Sequence, residues 1–142
     1  MKNSIIDELN RVLTNTYEYK NVLHKVSQLS ESPKLQDNLN EQVTVAEKES
    51  EELIQLISKL GGDVDSTERQ TDQELIGWVT PAPPNNNKYG TLVNYLIEIE
   101  KNKRQDYYAI LNQKETSDEV KAFLKNNIEN IESQLEFYNS II

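Results

Sequence analysis

The residues able to do chemistry in this chain are carboxylates, a few lysines and a set of tyrosines. There are 24 Asp and Glu, seven Tyr, one His and no Cys. Without cysteine there is no thiol nucleophile, disulfide, iron–sulfur ligation or zinc knuckle, and one histidine cannot form a His-pair metal site. His24 falls about 90° from the centre of its helix's apolar stripe, with no evident orienting partner, and reads as a surface residue rather than a catalytic one. Asp63, Asp65, Thr67 and Glu74 occupy the first, third, fifth and twelfth positions of a calcium-loop template. The sixth position, where the sharp turn needs glycine, is Glu68, so calcium binding is not expected. The run EKESEE at Glu47–Glu52 reads as a solvated helix face, with Lys48 and Glu52 an ordinary pair four residues apart. Tyr17, Tyr19, Tyr107 and Tyr108 fall near the middles of two helices. They are expected to pack opposite the small Ala46 and Ser50 rather than to serve as radical or ligand-stacking groups.

Length and charge narrow the classes further. The 142 residues carry a net charge of 15 − 24 = −9, which fits one acidic soluble domain and disfavours a phosphate-neutralising nucleic-acid surface. No apolar run approaches the roughly 20 residues of a membrane-spanning helix, so no membrane partner is expected. Met1 to Asn10 lacks the hydrophobic stretch of a secretory signal, and a cytoplasmic location is the expectation.

Four helices must position these groups. From about 4 to 29, Ile5, Leu9, Val12, Leu13, Thr16, Tyr19, Leu23 and Val26 recur at spacings of three and four, the mark of an amphipathic helix. Ser32 then stands as N-cap with Pro33 at the first helical position, opening a second helix over about 33–60. Its stripe is Leu35, Leu39, Val43, Ala46, Ser50, Leu53, Ile57 and Leu60, and Gly61 follows as a left-handed stop; Gly61-Gly62 follows no strand and is not a phosphate cradle. Residues 61–88 are a linker containing PAPPNNN, with Leu75, Ile76 and Trp78 expected to form a short helical turn pinned to the bundle. A third helix spans about 89–112 on Leu92, Val93, Leu96, Ile99, Tyr107, Ile110 and Leu111. Thr116 with Glu119 reads as a capping box for a fourth, about 117–140, on Val120, Phe123, Leu124, Ile128, Ile131, Leu135 and Tyr138.

Each stripe is wide enough to need more than one neighbour, which predicts an all-α four-helix bundle. The short connections make helices one and two, and three and four, antiparallel hairpins. A 25-residue helix is roughly 38 Å long, a span that the linker can cross when extended. A long crossover joining helices two and three is therefore expected, the alternative being a functional lid loop.

Two antiparallel hairpins and one crossover is the ferritin-like arrangement, and two stretches add to it. EELIQLISKLGGD at the end of helix two resembles the Leu-Gly-Gly-Asp helix ending of an uncharacterised bacterial family of ferritin-like four-helix proteins. IEKNKRQDYYAIL in helix three is similar to that family's pattern of acidic, basic, small and acidic positions followed by Tyr, Ala and Leu. Lys103 and Arg104 stand where that pattern has two acidic residues, and the family's His-Arg before the linker tryptophan is absent near Trp78.

A dinuclear carboxylate centre needs a Glu from each of two helices and a Glu-x-x-His from each of the others, all pointing inward. No Glu-x-x-His exists, since Asn21 precedes His24 by three. Glu18 and Glu98 lie roughly 150° from their stripes and Glu129 lies opposite its own, while Glu47 and Glu49 sit on the flanks of the second stripe. Only Glu100 is placed inward. The inward polar residues are Thr16, Lys20, Ser50, Glu100, Lys103, Asn127 and Gln134, with Lys20, Glu100, Lys103, Asn127 and Gln134 the candidates for a buried polar cluster. An unpaired buried charge costs several kcal/mol, so the lysines need acceptors, Glu100 being the nearest in sequence. An ammonium group can thus take the electrostatic place of a metal, the bland alternative being lysines that snorkel along the rim. The expectation is a non-catalytic binding or structural module with no cofactor, no catalytic residue and no metal ligand, its partner an unidentified protein or a second copy. The alternative is a metal-binding or stress-related ferritin relative using Glu49, Glu100 and Glu132.

Overall fold

The computed structural model describes residues 2–64, 77–79 and 82–142. Among them the chain forms four helices and no strand: α1 Lys2–Leu29, α2 Pro33–Lys59, α3 Tyr89–Leu111 and α4 Asp118–Ile141. No helix among the described residues is long and apolar enough to cross a membrane. Asp65, Thr67, Glu68 and Glu74 of the calcium template, with Leu75 and Ile76, lie outside the described residues.

The eight stripe residues of α1 are all buried. Thr14 and Asn15 are buried beside them, because α1 faces both α2 and α3 and its covered sector is wider than one stripe. Their polar groups are satisfied within the helix: the Thr14 hydroxyl donates to Asn10 O, Thr16 to Val12 O and the Asn15 amide to Arg11 O. Leu9, Leu13 and Leu23 are fully buried, and each such side chain contributes about 1.5–3 kcal/mol.

Helix α2 starts where Ser32 Oγ accepts the Leu35 N–H, with Pro33 first in the helix. It ends in a Schellman motif. Gly61 adopts φ +82°, its N–H reaching Ser58 O while the Gly62 N–H reaches Ile57 O, each at 3.0 Å. The start of α4 differs from the expected capping box. Ser117, not Thr116, is the N-cap and accepts the Val120 N–H, while the Thr116 hydroxyl turns back to Ile110 O at 2.8 Å. With Ser117 as cap the third helical residue is Val120, so Glu119 falls one position early for the box.

Contacts between helices fix their registers. Gln36 donates to Ser27 O and Ser30 O across the α1–α2 hairpin, and Arg104 meets Glu132 across α3–α4. Between the hairpins, Glu8, Arg11 and Tyr19 of α1 pair with Gln113, Asp106 and Glu100 of α3, so one numbering rises as the other falls. Asn38, Gln42 and Lys59 of α2 pair with Gln134, Asn130 and Glu119 of α4 in the same opposed sense.

Candidate functional site

At mid-bundle the aliphatic core gives way to charge. Helix α2 buries Leu35, Gln42, Glu49 and Leu56, a row repeating every seven residues, so the helix turns Glu49 inward as regularly as it turns Leu35. This corrects the flank position expected for Glu49 from the stripe through Ala46 and Ser50. On α3, Glu100, Lys103 and Tyr107 follow one another at spacings of three and four and are all buried.

These groups meet. Lys103 Nζ lies 3.0 Å from Glu49 Oε1, and both side chains are only 1% exposed. The other Glu49 oxygen accepts the Tyr107 hydroxyl, so both oxygens of that carboxylate are satisfied. Glu100 Oε2 accepts the Tyr19 hydroxyl, whereas its Oε1 has no hydrogen-bond partner among the described residues. The pairing expected between Lys103 and Glu100 is thus replaced by one between Lys103 and Glu49, on the facing helix. Lys103 Nζ also stands 4.4 Å from the centre of the Tyr19 ring, 5.3 Å from Trp78 and 5.6 Å from Tyr107. Aromatic faces attract a cation most strongly where water is excluded.

Burial raises the Glu100 pKa above its ordinary value, Glu49 adds to the rise, and Lys103 with the Tyr19 hydroxyl opposes it. Burial also pushes the Tyr19 and Tyr107 hydroxyls well above the usual range, with Glu100 and Glu49 respectively the next largest cause. These hydroxyls are fixed as hydrogen-bond donors. Burial and the Glu100 carboxyl likewise raise Tyr138, whose hydroxyl has no partner in hydrogen-bonding geometry among the described residues although the Gln134 amide lies close enough to oppose the rise.

Trp78 closes one side of this cluster. It is 2% exposed and itself not helical; the rest of the turn expected of the linker, Leu75 and Ile76, lies outside the described residues. Its main-chain N–H donates to Asn15 Oδ1 at 3.2 Å, its carbonyl accepts from Asn102 Nδ2 at 3.1 Å, and its indole N–H donates to Asp106 Oδ2 at 2.7 Å. Arg11 holds Asp106 in a two-pronged pair at 2.9 and 2.7 Å. Burial acts to lower the Arg11 pKa, but Asp106 and Glu8 outweigh it and leave it raised.

The remaining expected site residues lie elsewhere. Lys20 is half-buried with Nζ 6.0 Å from the Tyr17 ring centre; one residue past Tyr19, it is turned about 100° away from the cluster. Asn127 is buried and donates to Phe123 O, and Gln134 exchanges hydrogen bonds with Asn38, so both serve α4 and its α2 face. Glu132 is exposed and pairs with Arg104 at 2.7 Å, so Glu49, Glu100 and Glu132 do not converge. Among the described residues no three His, Cys, Asp or Glu side chains are grouped to hold a metal ion. His24, Glu98 and Glu129 are exposed, and Glu18 is half-buried with its pKa raised by burial. Tyr17 is half-buried and Tyr108 is 42% exposed, so only Tyr19 and Tyr107 of the four clustered tyrosines enter the core. A separate surface groove of about 220 Å³ runs between α2 and α4 over Leu56 and Phe123, edged by Lys59 and Glu119.

The polar centre can neutralise charge and fix the mutual rotation of α1, α2 and α3. Lys103, Glu49 and Glu100 are closed off from solvent by aromatic rings and helix packing. Comparison of the chain with protein-family models, with curated proteins and with solved structures finds no match.

Proposed function

We propose that this protein is a non-catalytic binding or structural module with a ferritin-like arrangement, in which the Lys103 ammonium fills the electrostatic role that a metal ion plays in dinuclear relatives. The opposed registers of α1 with α3 and of α2 with α4 support the arrangement. Combined with two antiparallel hairpins, they favour a linker, 61–88, that travels the length of the bundle. Glu49 and Glu100 come from α2 and α3, and Lys103 follows Glu100 by three, the place of histidine in Glu-x-x-His.

The observation that carries this reading is the 3.0 Å Lys103–Glu49 pair, closed off from solvent on both sides. A cation fixed covalently to α3 needs no uptake, has no open coordination position and cannot change oxidation state. Its contribution is to hold one arrangement of the helices. The test is metal analysis of protein purified without chelator, followed by thermal unfolding with added iron(II), manganese(II) and zinc(II). The expected result is no stoichiometric metal and an unchanged Tm. One or two equivalents of iron or manganese per chain would overturn it.

A further inference from the structure

The environment of Trp78 is built as a ligand site is built. Its indole N–H meets a carboxylate, Asp106, already oriented by the two-pronged Arg11 pair. Its ring is flanked edge-on by Tyr19 at 6.1 Å and 75° and by Tyr107 at 5.7 Å and 69°, with the Lys103 ammonium 5.3 Å from its centre. Its main-chain N–H and carbonyl are taken by Asn15 and Asn102, and the Asn15 amide is itself anchored to Arg11 O. Every recognising group sits on α1 or α3. Arg11 is held by Asp106 and Glu8, Asn15 by Arg11 O and Lys103 by Glu49, contacts that do not involve the indole and help to preorganise the slot.

We infer that the slot between α1 and α3 is a tryptophan-recognition site, occupied in this structure by the chain's own residue 78. The ligand class follows from the donors and acceptors: an indole with a free N–H, carried on a residue whose main-chain N–H and carbonyl are both available. A phenyl ring lacks the N–H that Asp106 accepts, and the charged amine and carboxylate of free tryptophan, although able to donate to Asn15 and accept from Asn102, would lose hydration without meeting a counter-charge on either asparagine.

The site is tested by emptying it in the full chain. Trp78→Gly removes the indole and leaves α1 and α3 intact, and the probes are N-acetyltryptophanamide, indole and 1-methylindole, read by calorimetry and by Tm from circular dichroism. The expected order is indole tighter than 1-methylindole by about tenfold or more, because a hydrogen bond to a charged acceptor is lost, with N-acetyltryptophanamide no tighter than indole, because the variant's own main chain at position 78 keeps its N–H and carbonyl on Asn15 and Asn102. Each bound ligand raises the variant's Tm with its concentration. In Trp78→Gly with Asp106→Leu, the preference for indole over 1-methylindole disappears. If Trp78→Gly does not fold alone, recovery of helical signal on adding each probe gives the same ranking. Equal binding of indole and 1-methylindole, or neither binding nor recovery with any probe, overturns the inference.

Discussion

Glu49 and Lys103, 54 positions apart in sequence, form an ion pair of 3.0 Å with neither side chain more than 1% exposed. Taking two charges out of water costs several kcal/mol each, and the geometry recovers this through the pair, the Tyr107 hydroxyl and three aromatic rings around the ammonium. Breaking such a pair from one side leaves the other charge buried without compensation.

Glu49→Ala is therefore expected to destabilise the protein by about 3–5 kcal/mol, whereas Glu49→Leu with Lys103→Met is expected to lie within about 2 kcal/mol of wild type or above it. Urea unfolding of the singles and the double measures this. A double variant as unstable as Glu49→Ala alone would show that the loss comes from packing and not from the orphaned ammonium.

Glu100 sets a pH dependence of known sign. Its pKa in the folded protein is raised above the ordinary 4.5, burial being the main cause. The folded state therefore binds that proton more tightly than the unfolded chain. The resulting contribution is complete below the unfolded value and is lost as pH rises through the raised folded value. Glu100→Gln removes this dependence, so its urea midpoint should fall less than wild type across that window. Superimposable pH profiles for the two proteins would contradict it.

Asp106 carries both the Arg11 pair and the Trp78 indole N–H, and Trp78 is the chain's single tryptophan. Asp106→Ala is expected to cost about 2–4 kcal/mol, for charge-assisted hydrogen bonds lost around a half-buried guanidinium. Fluorescence reports the same event locally. The emission should move to longer wavelength and become accessible to acrylamide, while Asp118→Ala, at the solvent-facing start of α4, should leave it unchanged.

Much of the bundle could be read from apolar spacing, because burial of a helix face is a local, periodic constraint. All eight α1 stripe residues and all seven in α4 are inside, and Ser32, Pro33 and Gly61 mark real ends of α2. Glu49 was legible by the same rule through the seven-residue row from Leu35 to Leu56. A stripe drawn from apolar residues alone passed over it, because Gln42 and Glu49 are two of that row's four members. The Lys103 partner is not legible in the sequence because acceptors near in sequence compete with acceptors near only after α2 packs on α3. Nothing in the sequence pairs Arg11 with Asp106, 95 positions away, or assigns Asn15 and Asn102 to the Trp78 main chain. Those contacts depend on which linker residue docks between α1 and α3, a choice made by shape rather than periodicity.

Glycine use at the end of α2 separates backbone strain from steric conflict. Gly61 has φ +82° and open space where a Cβ would stand, so Gly61→Ala meets only the left-handed backbone penalty, about 1 kcal/mol. A Cβ at Gly62 would stand 2.6 Å from Ile6 Cγ2, so Gly62→Ala must displace a half-buried side chain on α1 and also strains α1–α2 packing. Gly61→Asn tolerates the left-handed conformation and should recover part of the first loss. Thermal unfolding of the three variants discriminates the causes: Gly61→Asn should exceed Gly61→Ala in Tm. Adding Ile6→Ala should soften the effect of Gly62→Ala while leaving the effect of Gly61→Ala unchanged.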